Sequence, residues 1–158
     1  MQQAHIERMK QRLASYMEAE SLKSTRQRDT IADVFFAAGM HLNLDEVLQR
    51  AQEQMPGLGY ATVYRTMKLL VAAGVAEERH FGEGQTLYEL ADDVDDHHDH
   101  LICRTCGHIF EFEDPEIEAR QALVANRHGL RIVAHRLDLW GECKAPVECA
   151  HRKARQGA

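Results

Sequence analysis

The sequence predicts an α+β protein of two small domains. Helix start and stop signals recur at short intervals in the first 74 residues, and two short strand-like runs around a glycine-rich turn follow them. The last third has strand-like runs on both sides of one further helix. With 158 residues, the chain can bury one core or two small ones.

The first two helices are predicted from amphipathic patterns and capping residues. An N-terminal helix is expected over about residues 4–20. Ser24 followed by Gln27 resembles a capping box, which predicts that a second helix begins there. Gly39 is expected to end this helix.

The next two helices have equally clear boundaries. Asn43 and Glu46 predict the start of a third helix, which breaks before Pro56. A fourth helix is predicted after Gly59, and Gly74 stands where a C-terminal cap belongs. Its apolar stripe comprises Val63, Met67, Leu70 and Val71, and its opposite face carries Thr62, Tyr64, Arg65 and Lys68.

The predicted strands Val75–His80 and Gln85–Leu90 flank a Phe-Gly-Glu-Gly turn and indicate a hairpin. Three short helices and a hairpin are typical of a winged helix-turn-helix, whose last helix enters the major groove of DNA. Arg65 could read a guanine, while Thr62 or Tyr64 could contact a thymine methyl group or a phosphate. Lys23 lies near the start of an earlier helix, where it could contact the DNA backbone. A solvated helix face is the simpler alternative.

The segment from about residue 97 is predicted to form a small α/β module with an antiparallel sheet. Strands are expected at Leu101–Cys103, His108–Phe112 and Leu130–Trp140. Between them, Asp114 and Pro115 open a helix that ends before Gly129. The long run Leu130–Trp140 could pair with a second copy across a two-fold axis. We expect domains at residues 1–90 and 97–158, with residues 91–96 as the hinge.

Four cysteines, all in the last third, indicate a metal site. Cys103 and Cys106 form a C-x2-C turn that can present two sulfur atoms to one zinc ion, and Gly107 suits the tight turn. Cys143 and Cys149 would complete a tetrahedral set. Two disulfides or buried thiols are the alternatives.

A second concentration of metal-binding residue types precedes the first cysteine pair. In an extended segment, His98 and His100 would point to one face while His97 and Asp99 point to the other, so one strand could serve two ions. Imidazole and carboxylate sets suit iron(II), manganese(II) and zinc. The candidate partners are Glu89, Glu111, Glu118, His41 and His135. A buried core histidine is the alternative interpretation of His135.

Charge and hydropathy limit the possible locations and partners. No apolar signal segment follows Met1, and the chain has no run of 18 or more apolar residues, so a cytoplasmic protein without a membrane span is expected. A net charge of −6 argues against non-specific adhesion to polyanions but allows a local basic face.

Several motifs in order give the chain a resemblance to the ferric uptake regulator family of bacterial metal-dependent repressors. The resemblance extends from about Thr25 to Cys149. It rests on the segments Ala61–Arg65, His97–Cys103, Cys106-Gly107, Glu111-Phe112, Ile117–Ala119, His128-Gly129 and His135. It implies a winged-helix DNA-binding domain, a dimerisation domain, a homodimer or tetramer, and up to three metal sites per subunit.

The resemblance also implies roles for individual residues. A structural zinc site would comprise Cys103, Cys106, Cys143 and Cys149. A regulatory site at the hinge, filled by iron(II) with manganese or zinc as substitutes, would comprise His41, Glu89, His98, His100 and Glu111. An additional metal site would comprise His97, Asp99, Glu118 and His135, and the DNA-binding residues would include Lys23, Tyr64 and Arg65. The Cys143 to Cys149 spacing and the segment between Glu89 and His97 are longer than is usual in the family.

The implied function is repression of transcription at palindromic operator DNA when the regulatory metal is bound. At position 111 the chain resembles the iron sensors of the family, which have glutamate there, whereas its peroxide sensors have aspartate. Zinc, manganese or peroxide sensing are the alternatives within the family. Outside it, the alternatives are a zinc hydrolase with Glu111 or Glu118 as base and a zinc-stabilised interaction module. No nucleophile motif supports an enzyme.

Overall fold

The computed structural model describes residues 2–39, 41–80, 86–91 and 98–145. The chain forms two compact units, residues 1–93 and 94–158, and each contains its own sheet. The predicted wing turn, most of the predicted hinge, His97 and Cys149 lie outside the described residues. None of the helices in the described ranges has the length and hydropathy needed to cross a bilayer.

Helices dominate the N-terminal unit, as predicted. They are α1 (Gln2–Ala19), α2 (Arg26–Ala38), α3 (Leu44–Gln54) and α4 (Tyr60–Ala72). Their apolar faces meet in one core, which removes a large apolar area from water and stabilises the unit. Among its fully buried side chains are Ile31, Phe35, Phe36, Val47, Val63, Met67 and Leu70.

The start of α2 differs by one residue from the prediction. Thr25 is the N-cap, and its side chain accepts a hydrogen bond from the Arg28 N–H at 3.3 Å. The Ser24 hydroxyl instead donates to the carboxylate of Asp29 at 2.6 Å. A charged acceptor in the first turn makes the stronger hydrogen bond, so Ser24 does not cap the helix.

The connection between α2 and α3 confirms the predicted signals. Gly39 ends α2 with a φ of 57°, in the left-handed region that favours glycine. The Asn43 side chain accepts from the Glu46 N–H at 2.8 Å, and the Glu46 carboxylate accepts from the Asn43 N–H at 2.8 Å. This capping box fixes where α3 begins, three residues after His41.

The predicted hairpin is confirmed in its two strands. β1 (Ala76–His80) pairs antiparallel with β2 (Thr86–Leu90). Leu42 joins the other edge of β2 through two backbone hydrogen bonds. The Leu42 N–H donates to the Tyr88 carbonyl at 2.9 Å, and the Leu42 carbonyl accepts from the Tyr88 N–H at 2.7 Å. The α2–α3 connection is thereby fixed to the hairpin.

The buried stripe of α4 contains one residue that the sequence did not predict. Thr66 is buried, whereas Val71 is only partly so. The Thr66 hydroxyl donates to the Thr62 carbonyl at 2.8 Å, so the polar group is satisfied within its own helix. Tyr64 and Arg65 lie on the exposed face, as expected.

The C-terminal unit has a mixed sheet, so the prediction of an antiparallel sheet is wrong for one pairing. β3 (Asp99–Cys103) lies between β4 (Ile109–Phe112), which is antiparallel to it, and β5 (Asp138–Gly141), which is parallel to it. β5 runs opposite to β4 but joins the far edge of β3, so it is parallel to β3. Hydrophobic periodicity does not specify which edge a returning strand joins.

Between β4 and β5 the chain forms α5 (Pro115–Arg127), with the predicted boundaries. The Asp114 side chain accepts hydrogen bonds from the Glu116 and Ile117 N–H groups at 2.9 and 3.4 Å. Gly129 follows the helix with a φ of 71°.

The predicted long strand Leu130–Trp140 is wrong in its extent. Only Asp138–Gly141 is a strand, and the Leu137 carbonyl accepts one further bond from the His100 N–H at 3.0 Å. The preceding residues run beside α5, where the two segments line a groove of about 810 Å³. Leu130 and Val133 are 65% and 84% exposed. This apolar segment has the composition of a strand, but it pairs with no strand among the described residues.

Candidate metal centres and recognition helix

The C-x2-C turn has the geometry that a zinc knuckle requires. Gly107 has a φ of 72° and donates its N–H to the Cys103 carbonyl at 2.7 Å, which closes the turn. No disulfide joins Cys103, Cys106 or Cys143, so the disulfide alternative is not realised among the described cysteines. Cys149 lies outside the described residues.

Thr105 links the two halves of the cysteine site. Its hydroxyl oxygen accepts from the Cys143 N–H at 3.1 Å, while the adjacent Arg104 N–H donates to the Gly141 carbonyl at 2.8 Å. The second cysteine segment is thus bound beside the first turn. The sequence did not single out Thr105, because its role depends on a contact between residues 38 positions apart.

Hydrogen bonds around Cys103 favour the thiolate form of its side chain. The Cys106 backbone N–H donates to it and lowers its pKa from the usual value; burial opposes this shift, and the Cys106 thiol and Thr105 add to it. Because the thiolate is the metal ligand, a lowered pKa favours the form that binds zinc.

Three of the four residues implied for the additional site converge within the C-terminal unit. His135 Nε2 lies 3.2 Å from Glu118 Oε1 and 3.5 Å from Asp99 Oδ1. Ligand atoms of the three residues all lie within 4.8 Å of one another. His97, the fourth, lies outside the described residues.

This donor set fits a divalent ion. With metal–ligand bonds near 2.1 Å, neighbouring ligand atoms lie about 3.0–3.4 Å apart in octahedral or tetrahedral geometry. The distances around His135 match this spacing, and one imidazole with two carboxylates is a set that first-row divalent metals accept. Asp99, Glu118 and His135 could therefore hold a metal ion together.

The N-terminal unit contributes a buried imidazole and carboxylate in direct contact. His41 Nε2 lies against Glu89 Oε2, and only 9% and 7% of these side chains is exposed. The Leu42–Tyr88 backbone pairing explains this contact, because it places the preceding residue of one segment beside the following residue of the other. An imidazole and a carboxylate are groups that first-row divalent metals accept as ligands.

The C-terminal unit contributes a second such group of residues. The rings of His98 and His100 lie 5.0 Å apart on one face of the chain, as the alternation predicted. His98 Nε2 lies 3.8 Å from Glu111 Oε1, and Glu111 faces His100 across the antiparallel pairing of β3 with β4.

Asp138 is a residue of this group that the sequence analysis missed. His100 is 1% exposed, and its Nδ1 lies 3.5 Å from Asp138 Oδ1. Arg136 pairs with the other oxygen of the same carboxylate. A carboxylate beside Nδ1 orients a metal-binding histidine and leaves Nε2 for the ion. Finding Asp138 requires the parallel register of β5 with β3.

The exposed face of α4 has the residue types of a recognition helix. Tyr64 is 44% exposed, and Arg65 is exposed with its Nε donating to the Ala61 carbonyl at 3.1 Å. Thr62 is partly exposed on the same turn, and Lys23 is exposed before α2. The four predicted DNA-binding side chains are therefore at least partly accessible.

A polar network joins the base of this helix to the hairpin. Lys68 Nζ lies 2.7 and 2.8 Å from the two Glu78 oxygens, and the buried Tyr88 hydroxyl donates to Glu78 at 2.9 Å. The Lys68 hydrogen bond is the main cause that lowers the Glu78 pKa, while burial and then Glu78 raise the Tyr88 pKa. Lys68 also lies 5.8 Å from the Tyr64 ring centre. The network holds α4 on the wing.

Residues 19–140 match the Ferric uptake regulator family. The chain is 36% identical to the ferric uptake regulation protein of Campylobacter jejuni over 147 residues, which cover 92% of this chain and 90% of that protein. It is similar to the structure of the Helicobacter pylori ferric uptake regulator, described as having three functional metal-binding sites (TM-score 0.81, 29% identity, 92% of this chain and 95% of that one). A zinc-bound manganese uptake regulator is also similar (TM-score 0.67, 36% identity, 83% and 98%).

The family match extends over most of the chain, and the fold and the metal-binding residue types agree with it. The chain therefore belongs to the ferric uptake regulator family of metal-responsive transcriptional regulators.

Proposed function

We propose that this protein is an iron(II)-responsive repressor in the bacterial cytoplasm, which binds palindromic operator DNA as a homodimer when its regulatory site is filled. The observation that carries the proposal is that each unit brings together side chains that can bind a metal ion. His41 and Glu89 are buried together in the unit that has the recognition helix, and His98 and His100 lie together in the other unit.

His41, Glu89, His98, His100 and Glu111 would hold the regulatory ion. Imidazole and carboxylate groups suit iron(II) and manganese(II), whereas the thiolates that favour zinc are confined to another site. Asp138 would keep the His100 ring oriented. An ion bound by ligands from both units supplies a crosslink between them.

Residues of the N-terminal unit would connect the bound metal ion to the recognition helix. His41 precedes α3, and Glu89 lies on β2 of the hairpin, whose other face contacts α4 through Glu78 of β1. Fixing these two side chains restricts the orientation of the recognition helix, which must match two half-sites on the operator. Metal binding then raises the affinity for DNA, and DNA binding raises the affinity for metal by the same factor.

The other two sites would have structural roles. Cys103, Cys106, Cys143 and Cys149 would bind the structural zinc ion, and His97, Asp99, Glu118 and His135 would bind an additional ion. The described members of each set belong to a single unit, so neither of these described sets alone links the two domains.

The C-terminal unit has an exposed apolar surface that supports the proposed homodimer. The groove beside α5 is lined by apolar groups such as Val124, Leu130 and Ile132, and none of the α5 side chains is buried. An exposed apolar surface of this kind marks an interaction site. A second copy of the chain would cover it, with two or four subunits in the assembly.

Manganese or zinc is the alternative signal, because the similar manganese uptake regulator shows that this fold also serves other metals. Metal analysis of protein isolated from its native host decides between them. One equivalent of iron beside zinc supports the proposal; zinc or manganese at the regulatory site contradicts the iron assignment.

Replacement of Cys103 tests the structural zinc site. Cys103→Ser should lower the zinc content by about one equivalent per subunit and lower the melting temperature, because zinc binding contributes directly to folding free energy. Plasma emission analysis and thermal melts measure both. Arg104→Ala, which changes an exposed residue in the same turn, is the control. A Cys103→Ser protein with full zinc and an unchanged melting temperature contradicts the assignment.

Replacement of His98 tests the switch. His98→Ala should leave a folded, zinc-loaded dimer but remove the stimulation of operator binding by manganese(II), a stand-in for iron(II). The expected loss is about 5–150-fold in DNA affinity. Glu118→Ala is the matched control, because Glu118 belongs to the additional site. If Glu118→Ala removes the stimulation and His98→Ala retains it, the regulatory and additional roles of the two sites are exchanged.

Replacement of Arg65 tests the recognition helix. Arg65→Ala should weaken operator binding by about 1–3 kcal/mol and relax the preference for one guanine per half-site. Lys23→Ala should weaken all DNA sequences more evenly and reduce the salt slope by about one. Gel shifts at several salt concentrations measure both effects. Equal losses of Arg65→Ala on operator and random DNA would show that Arg65 contacts only the backbone.

Replacement of Asp138 tests how His100 is held. Asp138→Asn should lower the manganese affinity of the regulatory site by about 10–100-fold, because the His100 ring loses its anionic partner. Titration of the zinc-loaded protein measures the affinity. Arg136→Gln, which removes the other partner of the same carboxylate, should have a smaller effect. Unchanged affinity in Asp138→Asn would exclude this role.

A further inference from the structure

A row of alternating charges lies on the face of the hairpin that carries Glu89. Glu77 and Glu89 are directly opposite each other in the antiparallel register. Arg79 follows Glu77 by two residues, so it shares their face. Two carboxylates in opposite positions repel each other and would destabilise the hairpin without a cation between them.

Arg79 is that cation. Its Nη2 donates to Glu77 Oε2 at 2.9 Å, while its Nε donates to Glu89 Oε1. The Arg79 and Glu89 side chains are 12% and 7% exposed, whereas Glu77 is 43% exposed. The guanidinium thus neutralises the buried carboxylate from one side and retains a more accessible partner on the other.

Both oxygens of Glu89 are therefore engaged by groups of the chain itself. Oε1 receives Arg79, and Oε2 lies against His41. Any cation that binds Glu89 meets a guanidinium already placed at the same carboxylate. The repulsion is strong here, because the groups are nearly buried and screened little by salt.

We infer that Arg79 is an internal counter-cation that competes with the regulatory metal ion for Glu89, and so sets the metal concentration at which the site fills. This inference rests on the proposed regulatory role of Glu89. Arg79 donates to its two carboxylates through different nitrogen atoms, so it can release Glu89 and remain paired with Glu77. The single positive charge of the guanidinium is always present at Glu89, and the divalent ion must compete with it for the same carboxylate.

Manganese(II) titration of the full-length, zinc-loaded protein tests the inference. Free manganese is counted by its electron paramagnetic resonance signal, and every variant carries Glu118→Gln, so that the additional site is weakened throughout. Arg79→Gln should bind manganese about tenfold more tightly or better, since removal of a charge in a site with an effective dielectric near 20 is worth several times the thermal energy. Arg79→Lys, which keeps the charge, should stay closer to the unsubstituted protein.

Lys68→Gln is the matched control. It removes one positive charge from the same hairpin region, but from the face where Lys68 pairs with Glu78. Its manganese affinity should stay within about twofold of the unsubstituted value, because the charge that it removes does not touch Glu89. An equal gain for Lys68→Gln and Arg79→Gln would mean that overall charge, and not competition at Glu89, controls affinity.

The charge-balanced variant Glu77→Gln with Arg79→Gln serves where Arg79→Gln alone does not fold. It removes the guanidinium together with the opposing carboxylate, so no like-charged pair remains and the net charge of the row is unchanged. It should still bind manganese several-fold more tightly, because the direct competitor is gone. Unchanged or weaker binding in this variant and in Arg79→Gln overturns the inference; weaker binding in both would assign Arg79 the role of orienting Glu89.

Glu89→Gln separates this inference from the proposed function. If Glu89→Gln leaves manganese affinity unchanged, the regulatory assignment of Glu89 fails, and the Arg79 inference fails with it. If Glu89→Gln weakens binding and Arg79→Gln does not strengthen it, only the Arg79 inference fails. In the Glu89→Gln background, Arg79→Gln should give a smaller gain, because the guanidinium and the ion no longer compete for a shared carboxylate; a double-mutant cycle measures the difference.

Discussion

Two backbone hydrogen bonds between Leu42 and Tyr88 determine most of the functional geometry of the N-terminal unit. They fix the α2–α3 connection to the inner edge of the wing. Because side chains alternate along a strand, Tyr88 and its neighbour Glu89 then face opposite sides of the hairpin. Tyr88 reaches Glu78 and, through it, the recognition helix, while Glu89 reaches His41 and Arg79.

The hairpin therefore has two faces with different electrostatic tasks. On one face, Glu78 accepts hydrogen bonds from Lys68 and Tyr88, so its charge is balanced by a residue of α4. On the other face, the carboxylates of Glu77 and Glu89 share the guanidinium of Arg79, so this face has a net negative charge, and Glu89 also lies against His41. Under the proposed function, the hairpin would bind a cation on this second face while its first face contacts α4.

The sequence predicted the helices well because their boundaries are local. Gly39, Asn43, Asp114 and Gly129 each act within one turn, and their roles follow from residue type. The one capping error, at Ser24, arose because a neighbouring carboxylate competed for the same hydroxyl. Alternation along β3 similarly predicted that His98 and His100 share a face.

Contacts between distant segments could not be predicted in this way. Asp138 reaches His100 only because β5 joins β3 in parallel, and hydrophobic patterns do not specify edge or direction. Arg79 meets Glu89 only in one hairpin register. Leu130 and Val133 have strand-forming neighbours, yet the pairing that would make them a strand is not available within the described chain. Supporting residues around a site are therefore harder to find than the ligands themselves.

The groove beside α5 also has a consequence for protein turnover. Nearly all of the buried apolar side chains in the described residues belong to the N-terminal unit; the C-terminal unit contributes only Ile102 and Cys106. A unit with so small an interior has little buried apolar surface to oppose local opening, and proteases cleave opened forms. In the proposed homodimer, a second copy would cover the groove and lower the population of the opened form in proportion to the supply of partners. The lifetime of each subunit in the cell would then increase with the abundance of the chain, so that scarce, unassembled chains would be the first to be degraded.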